Sequence, residues 1–241
     1  MVSLTCFNGR FTPNWQMSVL TAFAILLFLR LGVWQLQRAA EKKQMLGTEK
    51  SLSANAAIAW QPGDKLPVQY QRIKVQGQYL PTVLLFDNQH HDHQFGYHVL
   101  SPLLLANKQV VIMDRGWVAG ERTRQSLPVV ETPRRQQTLT GSTYFPSAKN
   151  WLLGPVLEKK QADLAIIELL DTKAISQFLH KSVYPFIIRL SKDEGDGYIR
   201  DWAIVSMPVQ RHYAYAVQWF SIALVIFILF VALNFKKKNE N

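Results

Sequence analysis

Hydrophobic positions cluster at the two ends of this chain and alternate with polar ones in its middle. From Tyr213 to Phe235 run 23 residues without a charge, and Lys236, Lys237 and Lys238 end the run. A hydrocarbon span needs about 20 mostly apolar residues, so the pattern predicts a membrane helix over 212–235. A buried core helix is the alternative, and the length and the lysine stop both speak against it. A second apolar run, Trp15 to Trp34, carries Trp at each edge, where interfacial aromatics belong. Arg30 interrupts it four residues before Trp34, about 6 Å from the edge and within reach of snorkelling. No A-x-A site follows; "GVWQLQRAAEKK" continues in helix formers, so the segment reads as an uncleaved anchor. The helix is expected to run on to Leu46 with Gly47 as its C-cap, and Ser51 to Pro67 to be loop around "QPGDKLP".

From Val68 the period changes to two. In "RIKVQGQY", Ile73, Val75, Gly77 and Tyr79 alternate with polar residues, as in a half-buried strand. "VLLFDN", "YHVLSPLLLA", "QVVIMDRGWV" and "QQTLTGSTYF" predict further strands, with turns at Asn88–Gln94 and Ala106–Lys108. Gly116 in the third of these predicts a bulge or a close backbone approach. Ala119 to Arg135 is polar and proline-containing, a long surface loop. "DTKAISQFLHK" has a cap and the spacing of one helix. "YPFIIRLS" and "RDWAIVSMP" predict a closing pair of strands around "KDEGDG". The expected fold is therefore α+β: two transmembrane helices flanking an external, mainly antiparallel β domain that closes towards a barrel and carries about one helix. The parts are a tail over 1–14, a span over 15–34, the external domain over 35–211, a span over 212–235 and a tail over 236–241.

Two spans put both tails on one side. The lysine run votes for a cytoplasmic C-terminus and hence an external middle, whereas Arg38, Lys42 and Lys43 after the first span vote the other way. The C-terminal run is weighted more, because nothing else flanks that span. The 14 residues before the first span are too few for a mitochondrial transit peptide, which favours a bacterial inner membrane with the middle in the periplasm. The net charge is +10, but the 22 Lys/Arg and 16 Asp/Glu between Leu36 and Arg211 are spread evenly, which argues against a nucleic-acid partner. The single cysteine, Cys6, falls in the N-terminal tail, so the external domain offers neither a disulfide nor a thiol pair for soft metals.

Catalytic patterns are missing: there is no G-x-S-x-G elbow, H-E-x-x-H, P-loop or G-x-G-x-x-G after a strand, and no enzyme is expected. "DEGDG" at Asp193–Gly197 lacks the length and the distal Glu of a calcium loop and reads as a charged hairpin turn. His90, His91, Asp92 and His93 have the ligand types for zinc or copper, but neighbours on an extended chain face opposite ways. A solvated hairpin tip is the better reading, and no metal site is assigned there. His212 stands at the mouth of the second span with Tyr215, Ala216 and Trp219 on the same stripe. An imidazole above an apolar groove is what an axial haem ligand requires. A histidine that hydrogen-bonds at headgroup level among belt aromatics fits the same residues.

Taken together, "LGVWQLQRAAEKKQML" after a first span, "FDNQ…FGYHVLSPLLL…QVVIMDRGWV" in the middle and "HYAYAVQWFSIA" entering a second span resemble the Surfeit locus protein 1 family over nearly the whole chain. Gly32, Trp34, Gln35 and Arg38 match its first-helix pattern, and Arg115, Gly116 and Trp117 its central one. The resemblance implies a non-enzymatic membrane factor that helps assemble haem–copper cytochrome c oxidase, binding haem a and assisting its insertion into the catalytic subunit. Its implied partners are that subunit and the haem a synthesis machinery, besides the lipid bilayer. A histidine of the second span is the implied haem ligand, here His212. The macrocycle is then expected between Tyr215 and Trp219 on one helix and Trp34 and Gln35 on the other, with Arg211 or Arg38 pairing with its propionates. A scaffold that holds assembly intermediates without a cofactor is the alternative; a copper carrier is disfavoured by the missing thiols. Arg30 and the histidine-rich tip depart from the family's pattern.

Overall fold

The computed structural model describes residues 4–6, 9–146, 156–195 and 198–237. In chain order its elements are strands β1 (Leu4–Cys6) and β2 (Gly9–Phe11), helix α1 (Trp15–Ser53), strands β3 (Ile58–Ala59), β4 (Arg72–Tyr79), β5 (Val83–His91), β6 (Gln94–Leu104), β7 (Val110–Ala119), β8 (Gln136–Tyr144), β9 (Leu157–Gln161) and β10 (Leu164–Ile167), helix α2 (Thr172–Leu179), strand β11 (Val183–Leu190), helix α3 (Val209–Asn234) and strand β12 (Phe235–Lys237). They form two compact units, one of Met1–Gly47 with Ile204–Asn241, the other of Thr48–Ala203.

The first unit is built on α1 and α3, both long and apolar enough to cross a membrane. Asn14 starts α1: its side-chain oxygen accepts from the Gln16 amide, satisfying one of the donors a helix leaves open at its start. β2 pairs antiparallel with both β1 and β12, and the Thr12 amide donates to the Asn234 carbonyl. The start of α1 therefore meets the end of α3, and the two helices run antiparallel with both tails at one end. Helix α1 does not stop at Gly47, as the sequence suggested, but continues to Ser53, about five turns past Trp34. A helical glycine costs about 1 kcal/mol relative to alanine, and good helix formers on both sides carry the helix through it.

In the second unit, β4, β8, β11, β7 and β6 follow one another in a sheet, and β4 pairs again with β6 through Gln78↔Leu104 and Tyr79↔Leu103. That second pairing closes a five-stranded barrel. Its inward side chains come from all five strands: Ile73, Val75 and Tyr79, Leu139, Phe186 and Ile188, Val111 and Met113, and Leu103, each nearly or wholly buried. The alternate residues Ile187, Ile112, Val110 and Leu100 face outward, under α2 and β10. Burying such a side chain contributes about 1.5–3 kcal/mol, so both faces of β7 and β11 hold this unit together. Most pairings are antiparallel, as expected; β3–β4, β5–β10 and β7–β11 are parallel. Helix α2 is capped as its sequence indicated: the Asp171 carboxylate accepts from the Lys173 and Ala174 amides, and His180 ends it at φ 49°.

Gly116 marks the irregularity expected of it. Its φ is +119°, and a Cβ there would stand 2.7 Å from the Ile199 carbonyl oxygen, so only glycine serves. "RDWAIVSMP", expected as a strand, is not one: it is irregular, and the isolated bridge Ile199 to Trp117 falls just before it. Arg200 accounts for the difference. Its buried guanidinium donates to the carbonyls of Arg115, Ser191, Glu194 and Gly195 and so pulls the chain out of ladder geometry. With no strand to follow it, "DEGDG" is not a hairpin turn, and its Asp196 and Gly197 lie outside the described residues. β9 and β10 were not anticipated; β10 adds parallel to β5.

Candidate functional site: the paired helices around His212

α1 presents Phe28, Gly32, Gln35 and Ala39 at intervals of four, three and four residues, one face of a helix. Of these, Gly32, Gln35 and Ala39 are buried. α3 answers with His212, Ala216 and Ala223, also buried. Small residues let backbones approach where lipid gives no hydrophobic drive to association. Gly32 is the tightest point: a Cβ would lie 2.4 Å from the Phe220 ring. One turn back along α1, Phe28 stacks on Trp219 with ring centroids 5.7 Å apart and planes 23° from parallel.

Gln35 and His212 make the polar contact of this face. The Gln35 Oε1 lies 2.7 Å from His212 Nδ1, and both side chains are buried. An amide oxygen only accepts, so Nδ1 carries the proton and Nε2 keeps its lone pair. Nε2 is buried and has no hydrogen-bond partner among the described residues; the Trp219 indole nitrogen is in the same position. A buried polar atom without a partner costs about 1–3 kcal/mol, and it calls for an explanation. For His212 the arrangement is that of a metal-ligating imidazole, whose other ring nitrogen donates to a fixed acceptor that sets tautomer and orientation. The nitrogen thus fits an axial haem ligand. Packing at Gly32 and Phe220 leaves the two helices closed on each other, so a macrocycle requires them to part at this end.

Of the expected site residues, the structure brings His212, Gln35 and Trp219 onto the facing sides of the two helices. Trp34 and Tyr215 stand outside that face, 48% and 42% exposed. Arg38 lies one turn beyond Gln35 and pairs with Glu41 at 2.6 Å; Arg211 is exposed beside His212. Both cations are thus at the His212 end of the helix pair. Phe28, Ala39 and Phe220 were missed, although Phe28 is two turns from Gln35, as Trp219 is from His212. That matched spacing was the available signal.

In the other unit, His90 and His91 end β5, and Asp92 and His93 form a two-residue turn at φ 46° and 63° before β6. His90 packs on Phe95 and His91 on Trp117, so this is a hairpin tip whose histidines go to different neighbours. Next to the Gly116 bulge, His98 Nδ1 lies 3.0 Å from Asp114 Oδ2, and the buried Arg115 guanidinium sits over the rings of Tyr79 and Tyr198.

Similarity to known proteins extends over both units. The model of the SURF1 family matches residues 22–224. A SURF1-like protein of Rickettsia felis is 29% identical over 222 residues, covering 88% of this chain and 93% of its own. SURF1-like proteins of Rickettsia conorii and Rickettsia bellii are 27% and 25% identical, covering 88% and 89% of this chain and 88% of their own. The matched span runs from within α1 to within α3 and includes Gln35, His212 and Trp219. With that coverage and two apolar helices to anchor it in a membrane, the chain belongs to the SURF1 family of cytochrome oxidase assembly factors.

Proposed function

We propose that this protein binds haem a through His212 and assists its insertion into the catalytic subunit of haem–copper cytochrome c oxidase, as a two-span protein of the bacterial inner membrane with its barrel in the periplasm. The observation that carries the reading is His212 Nε2, buried without a partner among the described residues while Nδ1 is held by Gln35. Gln35 orients the ring; its loss would free the imidazole to turn and to change tautomer. The alanines and glycine of the pair keep bulk away from the nitrogen, and Arg38 and Arg211 supply positive charge at the aqueous end for carboxylate groups. Haem a, when bound, supplies the redox chemistry of the oxidase, none of which the factor itself performs. Apolar burial gives most of the affinity, and the nitrogen–iron bond fixes orientation. The haem a synthesis machinery and the catalytic subunit are the partners this role needs.

A scaffold without a cofactor is the second reading, and one observation favours it. The Gln35–His212 bond and the Gly32–Phe220 contact are together a sufficient device for pairing two membrane helices. Purification from cells that make haem a separates the two. The reading expects a haem spectrum in the wild type that His212→Ala alters, with lower occupancy and unchanged membrane insertion. A wild type without haem, or a variant with the wild-type spectrum and occupancy, contradicts it.

A further inference from the structure

Trp219 holds, with His212, a buried nitrogen that has no partner among the described residues. Its indole N–H is buried and has no acceptor among the described residues, although buried indoles ordinarily find one. The ring stacks on Phe28, so the edge bearing the N–H is what it offers to anything else. Trp219 lies seven residues beyond His212, about 10 Å further along the helix, and Ala216 between them puts only a methyl group on the buried face. The cations of the site, Arg38 and Arg211, are at the His212 end, and no charge occurs from Tyr213 to Phe235. A carboxylate is therefore a poor partner for the indole, because a charge so far into an apolar segment is costly without a counter-ion. A neutral carbonyl oxygen carries no such cost.

Resting on the reading that His212 takes the iron of haem a, we infer that Trp219 recognises the formyl group of that haem: the indole N–H donates to the formyl oxygen. Haem o shares the farnesyl chain and carries a methyl group where haem a carries the formyl. With haem o the N–H stays buried and unsatisfied, as it is in the helix pair alone. A site built to hydrogen-bond one group discriminates against an analogue lacking it, here by about tenfold for one neutral hydrogen bond. Trp219 is thereby a specificity residue, while His212 sets affinity for the iron.

The test uses the full-length protein in detergent, loaded separately with haem a and haem o. In the wild type, haem a is expected to bind about tenfold more tightly than haem o, with a formyl C=O stretch lowered in the resonance Raman spectrum. Trp219→Phe should raise that stretch and bring the two affinities together, with haem a still held through His212. Phe28→Leu, which removes the stacking partner but keeps the N–H, should leave the stretch at its wild-type position. If Trp219→Phe moves neither the stretch nor the ratio while His212→Ala changes the spectrum, the indole assignment is overturned and His212 stands. If His212→Ala also leaves the spectrum unchanged, the ligand reading fails and takes this inference with it.

Discussion

Arg200 carries more of the barrel unit than its place in an irregular segment suggests. The guanidinium reaches the carbonyls of Arg115, Ser191, Lys192, Glu194 and Gly195, and burial is the main influence holding its pKa below the usual arginine value. A planar fork with five donors can serve diverging carbonyls at once; an ammonium cannot. Arg200→Lys should therefore cost about 3 kcal/mol through carbonyls left unpaired, seen as a lower thermal midpoint by near-ultraviolet circular dichroism. An unchanged midpoint would contradict the role. This residue also limits what the sequence discloses. "RDWAIVSMP" has the period of a strand, and nothing local announces that its arginine is bonded to the turn 191–195. His212 lies at the legible extreme, because a histidine at the mouth of an uncharged run stands out by pattern alone. Its partner Gln35, 177 residues earlier, entered by family resemblance, since residue spacing does not reveal a bond across two helices.

Several elements were readable: β4 by alternation, β8 and β11 as short strand-like runs, α2 by its cap, α1 and α3 by apolar length. Barrel closure was only suggested, because it depends on β4 pairing with both β8 and β6. The helix pair depends on Gly32, whose missing side chain makes room for Phe220. Gly32→Leu overpacks this contact and should cost about 1–3 kcal/mol, lowering the midpoint in detergent while the amount in the membrane stays constant. A midpoint equal to wild type would mean that the helices do not pack here. The loop between β7 and β8 offers a test by pH. The Glu121 carboxyl is held below its ordinary 4.5 first by the Ser126 hydroxyl, then by Thr123 and the Ser126 amide. Its folded pKa is depressed, so this contribution is present above pH 4.5 and fades as pH falls through the folded value. Hydrogen exchange at the Ser126 amide should quicken on acidification below that point relative to a neighbouring unbonded amide, and Ser126→Ala should move the onset to higher pH. No acid dependence would show that the carboxylate does not hold the turn.

At the scale of the whole molecule, antiparallel α1 and α3 leave both tails at one end of the helix pair. The lysines from Lys236 onward favour that end staying in the cytoplasm. A reporter inserted near Val130 should then be active on the external side and one fused after Asn241 on the cytoplasmic side; the reverse would invert the topology. The central claim, that the factor delivers haem a rather than merely holding subunits, is tested most directly by the haem content of the oxidase. In cells whose only copy of this protein is His212→Ala, haem a per catalytic subunit should fall well below wild type while the subunit remains in the membrane. A subunit that disappears in step with its haem, or an unchanged ratio, would contradict delivery through His212.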